Sequence, residues 1–246
     1  MSSKLIYLRI LGYLVTIIMH VTNIVSMSLI LHTKEARELF KDPTIKFFNA
    51  NQARYFTCWT FFLQIVYAIA GLWCDCLALK NADNKGYKLP KYLKGFRDTL
   101  FAGVQWPSTL LVASVFWTLF TLDRNLMFPA ILDQVLTRTS NHIIHTAIIP
   151  VVLWEIVFQP RCAPASHFRN LAHLTFHSLL YFSVLFYTYY VDGTWIYPVF
   201  KRIEGTIYLP LFIILLYVLL LFYYFIQWPI TRFIHGNLEK SKRKIR

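Results

Sequence analysis

The chain alternates long apolar runs with short polar segments, and each apolar run is close to the length that crosses a bilayer. A transmembrane helix needs about 20 mostly apolar residues, and continuous runs of this length satisfy their backbone polar groups in lipid as helices. The pattern predicts an all-α polytopic membrane protein with six transmembrane helices. The predicted spans cover about residues 5–31, 53–79, 100–122, 142–158, 171–191 and 207–228.

Composition supports a membrane protein. Hydrophobic residues make up 57% of the chain and charged residues 15%, whereas a soluble domain is typically about 25% charged. The aromatic fraction of 17% suits belts of Trp and Tyr at the two membrane interfaces. Because no polar stretch is long enough for a separate soluble domain, we expect one membrane domain over residues 1–246.

Basic residues concentrate between the second and third spans (80–97) and after the sixth (232–246). Loops rich in Lys and Arg stay in the cytoplasm, and an even number of spans puts both termini on one side. We therefore expect both termini to be cytoplasmic. The net charge of +13 then comes from basic residues in cytoplasmic loops. We therefore expect the membrane as a partner and do not expect nucleic acid. The sequence does not indicate an oligomeric state.

The C-terminal tail ends K-S-K-R-K-I-R. Lys242 and Lys244 resemble a dilysine signal for retrieval to the endoplasmic reticulum, and the alternative is a basic flank that binds anionic lipid. We expect a multi-pass protein of the endoplasmic reticulum or the cell membrane.

Two histidines stand at the start of the fourth predicted span, in N-H-I-I-H-T (141–146). His142 and His145 share one helix face, but a metal needs a third ligand, and none stands at a telling spacing. A bis-histidine haem would need a facing histidine at equal depth. The four cysteines form neither a zinc pattern nor a disulfide framework, so we expect no metal and no cofactor. The remaining alternatives are a catalytic role and a helix start capped by Asn141.

Thr57 stands near the start of the second span, in A-R-Y-F-T-C-W-T. In the predicted topology the second and fourth spans enter from the same side. At about 1.5 Å rise per residue, Thr57 and His145 then both lie about one turn into their helices. A helical Thr usually bonds its own backbone carbonyl. The alternative is a nucleophile, for which His is the natural base near neutral pH.

Several short motifs occur in order between about residues 50 and 200. They are A-R-Y-F-T (53–57), G-F-R-D (95–98), L-D-R-N-L-M-F-P (122–129), N-H-I-I-H-T (141–146) and D-G-T-W-I-Y-P-V-F (192–200). Taken together, N-H-x-x-H-T and G-x-W-x-Y-P resemble the family of the androgen-induced gene 1 protein and the androgen-dependent regulator of tissue factor pathway inhibitor.

This resemblance implies a six-span membrane hydrolase of fatty acid esters of hydroxy fatty acids, whose lipid substrate enters from the bilayer. The family's threonine nucleophile falls on Thr57, and its histidine base falls on His145. Cys58 and Trp59 follow Thr57 where aliphatic residues are expected.

The chemistry of an ester hydrolase also needs hydrogen-bond donors for the oxyanion. The nearby candidates for oxyanion or substrate support are Asn141, His142 and Arg54, and the W-I-Y-P segment is expected to close the mouth of the site with aromatic rings. Two other functions remain open. One is a non-catalytic lipid- or ion-handling protein with a path of intramembrane charges, and the other is a bis-histidine haem electron carrier.

Overall fold

The structure, a computed structural model, describes the backbone of residues 3–33, 38–84 and 86–243 and the side chains of residues 4–33, 38–84 and 86–236. The side chains of Lys242 and Lys244, the predicted retrieval signal, lie outside these ranges. The helices are α1 (Ser3–Leu31), α2 (Pro43–Asn51), α3 (Phe56–Lys80), α4 (Lys91–Thr99), α5 (Trp106–Asp123), α6 (Arg138–His145), α7 (Ile148–Phe158), α8 (Phe168–Asp192), α9 (Pro198–Ile203) and α10 (Tyr208–Arg243).

Among the residues that the structure describes, five helical segments are long and apolar enough to cross a membrane, so the chain is a multi-pass membrane protein. They are Lys4–Leu31, Pro43–Lys80, Lys91–Leu126, Arg138–Phe158 and Tyr208–Gly236. The described residues form no strand, which confirms the all-helical prediction. The predicted fifth span lies within α8, a helix of 25 residues whose apolar pattern is interrupted by several polar side chains. A sixth span and the cytoplasmic termini therefore stay predictions.

The fourth spanning segment begins earlier than predicted, at Arg138 and not at residue 142. Thr137 is the N-cap, because its hydroxyl accepts the Ser140 amide at 3.1 Å. The alternative in which Asn141 caps this helix is therefore wrong. A turn at Thr146 and Ala147, whose amides both donate to the His142 carbonyl, separates α6 from α7 and makes His145 the last residue of α6.

One face of α3 is polar along its whole length and points into the bundle. The face repeats every three or four residues, which is the spacing of one helix side. Its buried polar members are Thr57, Thr60, Gln64, Tyr67 and Asp75, and Gly71 lies on the same side. Intramembrane polar side chains of this kind bond to neighbouring helices. Gln64 does so with three, because it contacts His20 at 2.9 Å, Thr109 at 3.2 Å and the Ile148 carbonyl at 3.0 Å.

The far end of α3 carries a buried ionic cluster. Arg9 of α1 pairs with both carboxylate oxygens of Asp75 at 2.7 Å, and each side chain is 1% exposed. Nearby, Glu155 accepts hydrogen bonds from Tyr13 at 2.9 Å, from Arg161 at 2.6 Å and from Tyr67. Charges at membrane depth are expensive unless they are paired. The pairing therefore anchors α1, α3 and α7 at this end.

A π-helical turn (Leu100–Gln105) joins α4 to α5. Pro107 has no amide hydrogen and would leave a carbonyl of the preceding turn without its donor. The Trp106 amide instead bonds the carbonyl of Phe101, five residues back, which is the π pattern. Gly103 in this turn lies against α8, where an added Cβ would come within 3.0 Å of the Asn170 carbonyl oxygen. The glycine therefore allows α8 to pack closely against the turn.

Candidate functional site

A cavity of about 980 Å³ lies at the Thr57 end of α3. Its wall is mainly apolar, and none of the described residues that line it is Lys, Arg, Asp or Glu. Ile24 of α1 and Phe62 of α3 line it and are 41% and 59% exposed. Both side chains lie on membrane-spanning helices, so one edge of the cavity is formed by exposed apolar groups. Thr57, His145, Tyr197 and His177 are polar residues of its wall.

Thr57 lies in the first turn of α3, and its hydroxyl faces an imidazole. Its Oγ1 is 3.3 Å from Nε2 of His145. The usual bond to its own backbone is not made: the carbonyl of Ala53, four residues back, accepts the Trp59 indole at 2.8 Å. Thr60, one turn later, does bond back, to the Phe56 carbonyl at 3.0 Å. The two threonines on one helix face therefore differ in what their hydroxyls do.

His145 is held in one tautomer. Its Nδ1 lies 3.0 Å from the backbone carbonyl oxygen of Asn141 and 2.8 Å from the side-chain Oδ1 of the same residue. Carbonyl oxygens only accept hydrogen bonds, so Nδ1 carries the proton and Nε2 of the neutral ring is the acceptor that faces Thr57. The ring also stacks on Phe116, with centroids 3.5 Å apart and planes at 6°. Hydroxyl, imidazole and amide thus have the arrangement in which acyl transfer uses a nucleophile, a base and an orienting group.

The three predicted support residues have separate surroundings. Asn141 contacts the ring nitrogen of His145 that faces away from Thr57. His142 is exposed, bonds Thr146 Oγ1 at 3.1 Å and stacks on Trp117. The Arg54 guanidinium pairs with Asp192 at 2.8 Å and approaches Thr188 at 3.4 Å, both on α8. The structure therefore brings Asn141 to the Thr57–His145 pair, while His142 and Arg54 bond elsewhere.

Tyr197 is a residue of this site that the sequence did not single out. Gly193, with a left-handed φ of 63°, ends α8, as glycine commonly does. The chain then turns back into the bundle and buries Trp195, Ile196 and Tyr197. The W-I-Y-P motif was visible in the sequence, but only as aromatic rings at the mouth. What distinguishes Tyr197 within it is the hydroxyl, which accepts the Phe56 amide at 2.9 Å and a bond from Tyr181 at 3.2 Å.

Two groups near the Thr57 hydroxyl each have a hydrogen that is available to donate. The Tyr197 hydroxyl, which lines the same cavity as Thr57, accepts bonds from Phe56 and Tyr181 and keeps its own proton to donate. Burial raises the pKa of Tyr197 to about 12, so the phenol stays protonated at neutral pH. The Thr57 amide, in the first turn of α3, has no acceptor within the described part of the chain. Such first-turn amides lack helical partners.

A second imidazole, His177 of α8, also lies on the cavity wall. Its ring packs against Phe56 and Trp59, with centroid distances of 5.4 and 5.7 Å, and its buried Nε2 has no partner among the described residues. Across the described ranges, no group of three His, Cys, Asp or Glu residues could hold a metal ion.

Comparison with known proteins finds relatives along most of the chain. The family model described as FAR-17a/AIG1-like protein matches residues 11–230. The human androgen-dependent TFPI-regulating protein is 34% identical over 196 residues, which are 80% of this chain and 83% of that protein. The mouse protein of the same name is 30% identical, over 81% of this chain and 84% of its own. The human androgen-induced gene 1 protein is 30% identical over 113 residues, 46% of this chain and 47% of its own. No solved structure matches.

Proposed function

The chain belongs to the FAR-17a/AIG1-like protein family, and we propose that it is an integral-membrane hydrolase of lipid carboxylic esters. Thr57 is the nucleophile and His145 the base. The observation that carries the proposal is the 3.3 Å contact between Thr57 Oγ1 and His145 Nε2, on the wall of a mainly apolar cavity. The substrates we propose are fatty acid esters of hydroxy fatty acids, the class that the sequence resemblance implies.

The reaction follows from the positions of these two groups. Thr57 Oγ1 attacks the ester carbonyl carbon while Nε2 of His145 takes the hydroxyl proton. When the tetrahedral intermediate collapses, the imidazolium returns this proton to the departing oxygen, and the hydroxy fatty acid leaves as an alcohol. A water molecule, deprotonated by the same nitrogen, then attacks the acyl-threonine. The products are a free fatty acid and the restored threonine.

Asn141 acts as the positioning residue for the base. Its oxygens hold the Nδ1 proton of His145, which keeps Nε2 free and stabilises the imidazolium that forms during attack. In this respect Asn141 corresponds to the third member of a hydrolase triad. This role differs from the oxyanion support predicted from the sequence.

Oxyanion stabilisation is assigned to the Tyr197 hydroxyl and the Thr57 amide. Both are near the nucleophile, and both have a hydrogen with no competing acceptor. Donors that are already oriented in a dry site stabilise the developing negative charge without reorganising. His142 and Arg54 are already engaged with Thr146 and Asp192, so they are weaker candidates for this role.

The cavity suits a lipid with two hydrocarbon arms. Its volume of about 980 Å³ lies near the upper end of the 300–1,000 Å³ usual for ligand pockets, and its wall is largely aromatic and aliphatic. Exposed Asn49 and His32 also line it and provide a polar rim. A bent ester could therefore place its branch point at Thr57, its hydrocarbon arms against the apolar wall and its free carboxylate at the rim.

The test compares two threonines of one helix face. Purified full-length protein in lipid nanodiscs is given a fatty acid ester of a hydroxy fatty acid, and released fatty acid is measured. Thr57→Ala should abolish release, whereas Thr60→Ala, whose hydroxyl only bonds its own helix, should retain most of it. A fluorophosphonate probe should label wild type at Thr57 and leave Thr57→Ala unlabelled. Wild-type release by Thr57→Ala, or no release by wild type, would overturn the proposal.

A further inference from the structure

A basic groove of about 600 Å³ lies between α4 and the start of α8, at the Asp75 end of the bundle. Lys91 and Lys94 stand three residues apart on α4, and Arg169 and His173 stand four apart on α8. These spacings put each pair on one face of its helix, and both faces line the same groove. The groove is separate from the Thr57 cavity and shares no lining residue with it.

The charges in this groove are not balanced by the protein. Lys91, Lys94 and Arg169 are exposed, and none of them forms an ion pair within the described ranges. The one carboxylate of the lining, Asp98, lies 3.4 Å from the buried Arg97, so the lining holds one carboxylate against three cations. Like charges that converge on one concave surface raise the local potential and attract an anion.

Part of the lining of the groove is apolar. Leu100 and Val104, on the π-helical turn, and Tyr92 and Phe96 of α4 line it together with the basic side chains. Tyr92 is 90% exposed and Phe96 50% exposed. Exposed aromatic rings next to basic residues, where a chain enters the membrane, are typical of the headgroup region. A ligand that fits both parts has an anionic head and a hydrocarbon chain.

We propose that this groove binds an anionic phospholipid of the surrounding membrane. Lys91, Lys94 and Arg169 hold the phosphate and the remaining headgroup charge, and an acyl chain runs along Leu100 and Val104. The positive-inside rule assigns this end of the bundle to the cytoplasmic leaflet, which is the anionic one. The site is independent of ester hydrolysis, since no Thr57-cavity residue takes part.

The test removes the three cations and compares this with an equal loss of charge elsewhere. The variant is Lys91→Gln, Lys94→Gln and Arg169→Gln, and the matched control is Lys80→Gln, Lys201→Gln and Arg202→Gln, which changes two exposed lysines and one exposed arginine outside the groove. Full-length protein in detergent is titrated with phosphatidylserine or phosphatidylcholine, and bound lipid is measured by native mass spectrometry.

Wild type and control should bind phosphatidylserine in preference to phosphatidylcholine. With each cation near a membrane surface contributing about 1 kcal/mol, the triple variant should bind phosphatidylserine about 100-fold more weakly. Arg169→Gln alone, paired with Arg202→Gln, tests the same site if the triple variant is unstable.

Two results would overturn the proposal. One is equal phosphatidylserine binding by the triple variant, Arg169→Gln and their controls, which would mean that the groove is not the site. The other is displacement of the lipid by glycerol phosphate at equal concentration, which would mean that the groove holds a soluble phosphate and gains nothing from the acyl chain.

Discussion

The two ends of α3 bury polar side chains in different ways. At the Asp75 end the charges are paired: both carboxylate oxygens of Asp75 accept hydrogen bonds from Arg9 at 2.7 Å. At the Thr57 end the groups are neutral and some are unsatisfied, since the Thr57 amide and the Tyr197 proton have no acceptor among the described residues. Eighteen residues of helix separate the ends, about 27 Å at 1.5 Å per residue.

The two ends of α3 therefore differ in what their buried polar groups do: one end stabilises the fold, and the other can contact a ligand. A buried polar group with all its partners adds rigidity, and it costs heavily when one partner is removed. A buried polar group that lacks a partner and faces a cavity is ready for a ligand. Changes at the Thr57 end should therefore alter ester hydrolysis with little effect on stability, and changes at the Asp75 end should do the opposite.

The largest expected effect compares two histidines of the same cavity. His145→Ala removes the base and should lower fatty acid release by about 10⁴-fold, the scale of losing a triad member. His177→Ala should keep most of the release, because its ring contacts Phe56 and Trp59 and no contact joins it to the Thr57 hydroxyl. If the two losses were reversed, His177 and not His145 would be the base.

The second-largest effect is expected on stability, at the Asp75 end of α3. Asp75→Ala leaves Arg9 buried without its carboxylate and should lower the free energy of unfolding by about 3–5 kcal/mol. Thermal denaturation in detergent measures this, and the folded fraction should still hydrolyse ester. The double variant Arg9→Met with Asp75→Leu should regain much of the stability, because an apolar replacement leaves no unpaired charge. A stable but inactive Asp75→Ala protein would contradict the separation of the two ends.

The sequence predicted five spanning segments well because a backbone in lipid must satisfy its polar groups internally. A run of apolar residues long enough to cross must be helical, whatever the rest of the fold does. α8 is the exception: its length fits, but polar side chains such as His173, His177 and Ser183 interrupt the apolar pattern. Its buried face can only be recognised once the neighbouring helices are in place.

The sequence led to the Thr57–His145 pair, but the expectation that both lie about one turn into their helices was wrong for the histidine. Thr57 is in the first turn of α3, whereas His145 is the last residue of the eight-residue α6, about two turns in. Tyr197 was beyond such reasoning, because its position depends on the chain turning back into the bundle after Gly193. The role of Asn141 could be assigned only once the start of α6 was known. Because Thr137 is the N-cap, Asn141 lies inside the helix, one turn before His145.

A smaller effect concerns the hydroxyl that the sequence missed. Tyr197→Phe keeps the ring and removes the proton assigned to the oxyanion, so kcat should fall by about 10²–10³-fold with KM little changed. Tyr181→Phe is the matched control: its hydroxyl bonds Tyr197 and not Thr57, and it should lose less. Equal kcat in wild type and Tyr197→Phe would remove Tyr197 from the oxyanion site and leave the Thr57 amide as its donor.

The smallest effect concerns the orientation of the base. Asn141→Ala removes Oδ1, 2.8 Å from Nδ1 of His145, but the backbone carbonyl of the same residue still accepts from that nitrogen at 3.0 Å. With one of two acceptors left, kcat should fall by about tenfold, the value of one buried hydrogen bond. Asn141→Asp keeps an acceptor oxygen and should retain more activity than the alanine variant. A loss as large as that of His145→Ala would show that the side chain alone fixes the tautomer, and an unchanged kcat would show that the backbone carbonyl is sufficient.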